Sequence, residues 1–312
     1  MAYDEINLFN SVASSSYEFD DKYIKRISKK YPNLSSSGVP IKGVLGAYYV
    51  THDSIRKGIR LLKDANMDNP YLGYPDMILA RVYEAIGSKD SFNLYTNTAY
   101  KKLPNNSASY LLLSKKLIGE NKIDSLSYFF NKISNRINDS NIWQIYLSGM
   151  YANKDSFEKL NIDPSTVESN ARLAKQMFDN KDVRLISDYL IYGRETVLSN
   201  INKFEEAKTK YDTAPDKAIS ILEDVIIEID DNYDYYEALI EMYFFNNDNN
   251  KVIGLFDKLK SIEMTQLKGN IIEMIAISYL RLNDKQNGCS LALLLFENNI
   301  KIDQTVKLAC QI

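Results

Sequence analysis

One histidine, His52, and two cysteines, Cys289 and Cys310, supply all the imidazole and thiol chemistry in 312 residues. A single imidazole cannot assemble a Ser-His-Asp, Cys-His or His-metal constellation. His52 reads as a solvent-facing turn residue rather than a proton carrier. The two cysteines match no zinc or redox spacing. A bridge between them needs the last helix to fold back, and buried free thiols are the expectation. Cysteine usage therefore leaves the compartment open. No Gly-x-Gly-x-x-Gly or P-loop pattern occurs, so no phosphate cradle, cofactor or metal is expected. Carboxylates are plentiful at 41 Asp and Glu. Two facing carboxylates are what glycoside hydrolysis requires, but partners drawn from different elements cannot be located by spacing. The acidic run Asp230-Asp231-Asn232-Tyr233-Asp234 lacks the glycine and the closing glutamate of a calcium loop and reads as a helix-connecting turn.

The formal charge of −3 gives no case for nucleic-acid binding, which needs many phosphate-neutralising cations. The most basic stretch, residues 22–30, carries five cations and reads as a solvated helix face. Apolar residues make up 45% and charged residues 25%, a core-forming composition with no run long enough to span a bilayer. Residues 1–9 are too short and too acidic for a signal peptide. If Met1 is the natural start, the chain is expected in the cytoplasm. If a membrane anchor precedes it in the natural protein, the chain faces the periplasm or envelope. The abundance of Tyr, at 23 residues, and of Asn reads as compositional background.

The elements that would carry any site follow from a repeat. Pro70 and Pro104 stand 34 apart, and aligning on them pairs Leu45, Gly46, Tyr49, Gly58, Leu62 and Ala65 with Leu79, Ala80, Tyr83, Phe92, Thr96 and Ala99. A third copy runs through Leu113, Ser114, Leu117, Leu126, Phe130, Ile133 and Asn138, and a fourth begins at Leu147, Ser148 and Tyr151. A small residue on a first helix (A) lets a second helix (B) approach. The aromatic three positions on shares its face and fills the gap beside it. Proline after B cannot continue that helix. The frame returns over residues 202–297, where Ala218, Leu222 and Val225 precede Val252, Phe256 and Leu259 by 34. Tyr211, Tyr243 and Tyr279 bracket the same period there. Between the arrays Asp163 caps and Pro164 opens a helix over 165–178, with another over 183–192. Alternating strand signals are absent.

These offsets resemble the tetratricopeptide (TPR) pattern. The resemblance implies an all-α fold, a TPR-like helical-hairpin solenoid with a right-handed superhelix, in two arrays joined by an irregular helical segment. The expected division is 1–37 as an N-terminal helical arm, 38–151 as the first array, 152–200 as the irregular linker and 201–312 as the second array with a C-terminal cap. A narrower likeness lies in Tyr31-Pro32-Asn33-Leu34, Val39-Pro40-Ile41-Lys42, Asn69-Pro70-Tyr71-Leu72-Gly73-Tyr74 and Leu103-Pro104-Asn105-Asn106. These phrases resemble the soluble helical-repeat tail of bacterial O-antigen ligase-like membrane proteins. That family's membrane part, which would carry its chemistry, is not in this chain, so no catalytic residue transfers.

In such a fold the A helices line a concave surface. The A-helix residues pointing away from B are Met77, Arg81 and Glu84, then Leu111, Lys115 and Ile118. In the later array they are Glu237, Glu241 and Phe244, then Glu273, Ile277 and Arg281. The glutamates would form an acidic groove, and the earlier set a groove with Arg81 and Lys115 beside apolar positions. Gly43 and Ala47, which occupy the positions where some TPR proteins clamp a terminal carboxylate, offer no donors. The expected function is a non-catalytic scaffold binding a protein or peptide partner, the soluble part of a bacterial envelope or polysaccharide-assembly protein that attaches to a membrane protein. A polysaccharide-acting enzyme using carboxylates and a self-assembling structural subunit are the open alternatives.

Overall fold

The structure is a computed structural model that describes residues 22–23, 25, 38–52, 54–259 and 267–312. Most of the expected N-terminal arm, the basic stretch other than Lys22 and Lys25, and the phrase Tyr31-Pro32-Asn33-Leu34 lie outside the described residues. So do residues 260–266 within the second array. Among the described residues the chain forms sixteen α-helices and no strand. It divides into two compact units, residues 1–191 and Tyr192–Ile312.

In the first unit the hairpins are α1 (Ile41–Thr51) with α2 (Ile55–Asp68), α3 (Tyr74–Ala85) with α4 (Lys89–Lys102), and α5 (Ser107–Gly119) with α6 (Ile123–Ser134). Next come α7 (Ser140–Ala152), a short 3-10 turn at Lys154–Ser156, and the hairpin of α8 (Pro164–Met177) and α9 (Lys181–Ile191). The second unit holds α10 (Arg194–Lys210) with α11 (Pro215–Glu228), α12 (Tyr233–Phe245) with α13 (Asn249–Leu259), α14 (Gly269–Arg281) with α15 (Lys285–Glu297), and a terminal α16 (Gln304–Cys310).

Four of the hairpins turn at the same place in the repeat. Gly87, Asn121, Asn247 and Asn283 follow α3, α5, α12 and α14 with φ of 74°, 56°, 58° and 64°. The next residue donates its N–H to a carbonyl five positions back: Ser88 to Tyr83 at 2.9 Å, Lys122 to Leu117 at 2.8 Å, Asp248 to Tyr243 and Asp284 to Tyr279 at 2.9 Å. This is the left-handed C-terminal closure that satisfies orphan helix carbonyls. Asparagine occupies it because its short polar side chain tolerates the left-handed region that most L-residues avoid at about 1–2 kcal/mol. Part of the Asn abundance is thus structural, which corrects the reading of Asn as background. The bonded carbonyl belongs to the large residue three positions after the small one, Tyr83, Leu117, Tyr243 or Tyr279, so one position sets both seam and turn.

The seams carry the small residues. Ala80, Ser114 and Ala276 are fully buried. At the first hairpin α1 and α2 meet through two glycines. A Cβ on Gly58 would stand 2.7 Å from the Gly46 carbonyl oxygen, and one on Gly46 2.7 Å from Leu62 Cγ. The B helices answer with Leu62, Leu126, Phe130, Leu222, Val252 and Phe256, all at most 2% exposed. Burying each such side chain contributes about 1.5–3 kcal/mol. Tyr83 stacks on Tyr95 of α4 at 5.4 Å, and Lys57 of α2 lies 3.7 Å above the Tyr49 ring. Tyr243 and Tyr279 are buried.

Hydrogen bonds recur at a separation of 31 residues, one repeat less three, closing the ends of the first and third hairpins and tying α10 to α12. Asn69 donates to the Gly38 carbonyl at 3.1 Å and Arg136 to Asn105 at 2.9 Å, and Tyr211 donates to the Met242 carbonyl at 3.0 Å. The frame breaks after α7, whose place for a partner B helix is taken by the 3-10 turn and the α8–α9 hairpin. As expected, Asp163 caps α8, accepting from the Ser165 N–H at 3.0 Å, with Pro164 in the first turn.

Candidate interaction groove

The A helices α3, α5 and α7 leave a groove of about 510 Å³ in the first unit. It is lined by Arg81 and Glu84 from α3, by Ala108, Leu111, Leu112 and Lys115 from α5, and by Asn141, Gln144, Ile145 and Ser148 from α7. The three helices present this face because their other sides are spent on packing. Leu79, Ala80 and Val82 of α3 are buried, as are Tyr110, Leu113 and Leu117 of α5 and Ile142, Tyr146 and Leu147 of α7.

The groove has a charge order. Lys115 Nζ lies 2.9 Å from Glu84 Oε1. Gln144 donates to Asp182 at 3.3 Å, and Asn141 donates to Asp139, its helix cap, at 3.0 Å. Arg81 is exposed and has no carboxylate partner among the described residues. Its charge acts on Tyr74, about two turns earlier on the same helix. Burial pushes that phenol up to about 12 while Arg81 pulls it down. Leu111, Leu112 and Ile145 form the apolar floor.

Of the residues expected from the repeat frame, Arg81, Glu84, Leu111 and Lys115 come together here. Met77 is half-buried one turn before Arg81. Ile118 packs into the core, where a Cβ on Gly149 would stand 3.0 Å from its Cδ1, and lies outside the groove. The contribution of α7 escaped sequence reading. Its signal was present, because Ile145 stands one 34-residue period beyond Leu111 and two beyond Met77.

The second unit differs from expectation. Glu237 is 5% exposed and accepts from the Lys268 N–H at 2.9 Å and from its ammonium at 2.5 Å. Glu241 accepts from the Asn270 amide at 3.3 Å, and Glu273 from the Asp303 N–H at 2.5 Å. Glu237 and Glu273 are thus anchored by backbone N–H groups at the start of the helix after next, which lack intrahelical acceptors, and Glu241 by a side-chain amide there. An open acidic groove is not what these residues form. The Glu237 hydrogen bond holds the Lys268 ammonium above its usual range. Phe244 is half-buried with the Arg281 guanidinium 4.6 Å above its ring, and Ile277 packs on the core.

The other chemical groups are structural. His52 is half-buried rather than solvent-facing. Its ring stacks on Tyr48 at 4.0 Å, and Nδ1 lies 2.9 Å from the Tyr48 carbonyl oxygen. The acidic run 230–234 links α11 to α12. Asn232 caps α12 by accepting from the Asp234 N–H at 3.1 Å, and Tyr192 donates to Asp230 at 2.9 Å. Burial and these acids push the Tyr192 phenol up. Gly43 and Ala47 are buried. Cys289 and Cys310 form a disulfide with Cα atoms 5.3 Å apart, which corrects the expectation of free thiols. The chain reverses over 298–303, and that brings α16 back onto α15.

No family model matches the sequence, and no curated protein matches it. Among solved structures the chain is similar to one in a crystal structure of the APC/C hetero-tetramer Cut9–Hcn1, at 12% identity and a TM-score of 0.41 over 87% of this chain. It spans about half the length of that chain, 48%. It is also similar to the P58(IPK) TPR domain, at 13% identity and a TM-score of 0.36, covering 86% of this chain and 94% of that one. By its own helical hairpins, small-residue seams and 34-residue frame, the chain has an all-α, TPR-like repeat fold.

Proposed function

We propose that the chain is a non-catalytic protein-interaction scaffold whose first-unit groove takes an extended segment of a protein partner. That segment carries a carboxylate for Arg81 and an apolar side chain for the floor at Leu111 and Ile145. The observation that carries the reading is the groove itself. It offers a cation with no carboxylate partner among the described residues beside an apolar floor, while its one carboxylate, Glu84, is paired with Lys115. Glycoside hydrolysis needs two carboxyl groups flanking the bond, and the groove supplies one.

The setting is part of the same proposal. The phrases resembling the tails of O-antigen ligase-like proteins support an envelope role. The Cys289–Cys310 bridge supports an oxidising compartment, since disulfides persist in exported proteins and are rare where thiols are kept reduced.

Panning a phage library of random nine-residue peptides against the full chain tests the groove. Enriched sequences are expected to pair Asp or Glu with Leu, Ile or Phe. Arg81→Glu should weaken the best peptide at least tenfold, and the second-unit control Glu241→Lys should leave it within twofold. Added salt should weaken it as well. Equal binding by the Arg81→Glu chain, or enrichment without acidic residues, would remove the groove from the account.

A further inference from the structure

The two cysteines join the last helix to the one before it, and the packing there is thin. Helix α16 has seven residues, well below the length at which an isolated helix is stable in water. Its one buried side chain is Val306, which with Ile302 of the preceding turn belongs to the same core cluster as Leu291 and Leu295 of α15. Its outward Leu308 is 71% exposed. Beyond these contacts Ile312 packs on the same core, Lys307 lies 5.9 Å over the Phe296 ring of α15, and Glu273 of α14 accepts from the Asp303 N–H, while Asp303 only caps α16 itself, accepting from Thr305 N at 2.7 Å. Both cysteines are half-buried, so small thiols can reach the bridge. The hairpins α12–α13 and α14–α15 pack through their own seams.

We propose that the Cys289–Cys310 bridge is a redox clasp that decides whether α16 caps the C-terminal end of the second unit. A dithiol reductant supplies two electrons and two protons. The S–S bond breaks, two thiols form on the chain, and the reductant leaves as its own disulfide. Closing a loop of 21 residues restricts the undocked ensemble and favours docking by roughly two orders of magnitude. Once that constraint is lost, these few contacts compete against the entropy of ordering the tail without help from the bridge. The helix undocks, and Leu291 and Leu295 become the exposed edge of a unit whose hairpins stay intact.

Hydrogen exchange on the full chain, read by mass spectrometry, tests this. With the bridge closed, amides of 307–312 should be protected. Dithiothreitol should speed their exchange about 100-fold and leave those of α12 and α14 within twofold. Cys310→Ser should show the fast rate without reductant and no response to it. Protection that survives reduction would mean that the apolar contacts alone hold the cap. Loss of protection across the whole second unit would make the bridge a staple of the fold. Either result overturns the proposal.

Discussion

Two ion pairs occupy the same place in successive repeats with their charges reversed. Lys42 of α1 meets Asp68 at 2.9 Å, and 34 residues on, Asp76 of α3 meets Lys102 at 2.5 Å. The pairs differ in burial. The side chains of Lys42 and Asp68 are 39% and 25% exposed, whereas those of Lys102 and Asp76 are 19% and 3%. Asp76 also accepts from Asn66 at 2.8 Å. Lys102→Met keeps the aliphatic stem and deletes the ammonium, so a buried carboxylate is left with one amide donor. Removing one partner of a buried pair costs about 3–5 kcal/mol. Lys42→Met breaks the exposed pair and should cost at most about 1 kcal/mol. Trp143, the sole tryptophan, is 4% exposed in the first unit and reports its unfolding in urea by fluorescence. That local probe matters because repeat arrays need not unfold as one body. The double variant Asp76→Asn/Lys102→Met should recover most of the loss, since a neutral amide at 76 still faces Asn66. Equal costs for the two single methionine variants would refute burial as the deciding difference. A double variant no better than Lys102→Met would refute the uncompensated charge as its cause.

Two glycines should respond in opposite directions to the same change. Gly58→Ala forces a Cβ to 2.5 Å from Val50 Cγ2 and 2.7 Å from the Gly46 carbonyl, and should cost about 1–3 kcal/mol by overpacking. Gly254→Ala in α13 meets nothing within 4 Å and should gain about 0.5–1 kcal/mol from helix propensity, read as a higher midpoint in thermal circular dichroism. Stability should also fall in acid. The Tyr243 hydroxyl and Lys251 hold the Glu223 carboxyl below its usual 4.5, so its contribution is complete above that value and is lost as pH drops through the lowered one. Glu223→Gln should therefore flatten part of the decline in Tm between pH 5 and 3, and an unchanged slope would remove Glu223 as a cause.

The repeat was legible because its physics is local. A small residue at 46, 80, 114 or 276 and a large one three positions later repeat on one helix face, and a face is what a 3.6-residue period records. The chain reversals were harder to read. Nothing in the composition separates Asn121, Asn247 and Asn283, which close helices in the left-handed region, from Asn97 or Asn131 on helix surfaces. Only alignment on the frame does so. Cys289 and Cys310 were misread because burial alone favours free thiols, and the bridge depends on a reversal over 298–303 that no periodicity announces.

The groove shows the same division in sharper form. Sequence placed Glu84 and Lys115 on one face but could not say that they pair, because the register between neighbouring A helices is a tertiary quantity. The structure supplies it as a separation of 31 residues, and the consequence depends on residue type. Glu84 and Lys115 stand 31 apart and neutralise each other across an open groove. Glu237 and Lys268 also stand 31 apart, but there the lysine opens a helix, and its N–H draws the carboxylate into a 5%-exposed position. One offset therefore leaves a surface in the first unit and consumes it in the second. Arg81 keeps its charge available for the corresponding reason: the residue 31 positions on is Leu112, which is 3% exposed and offers no carboxylate.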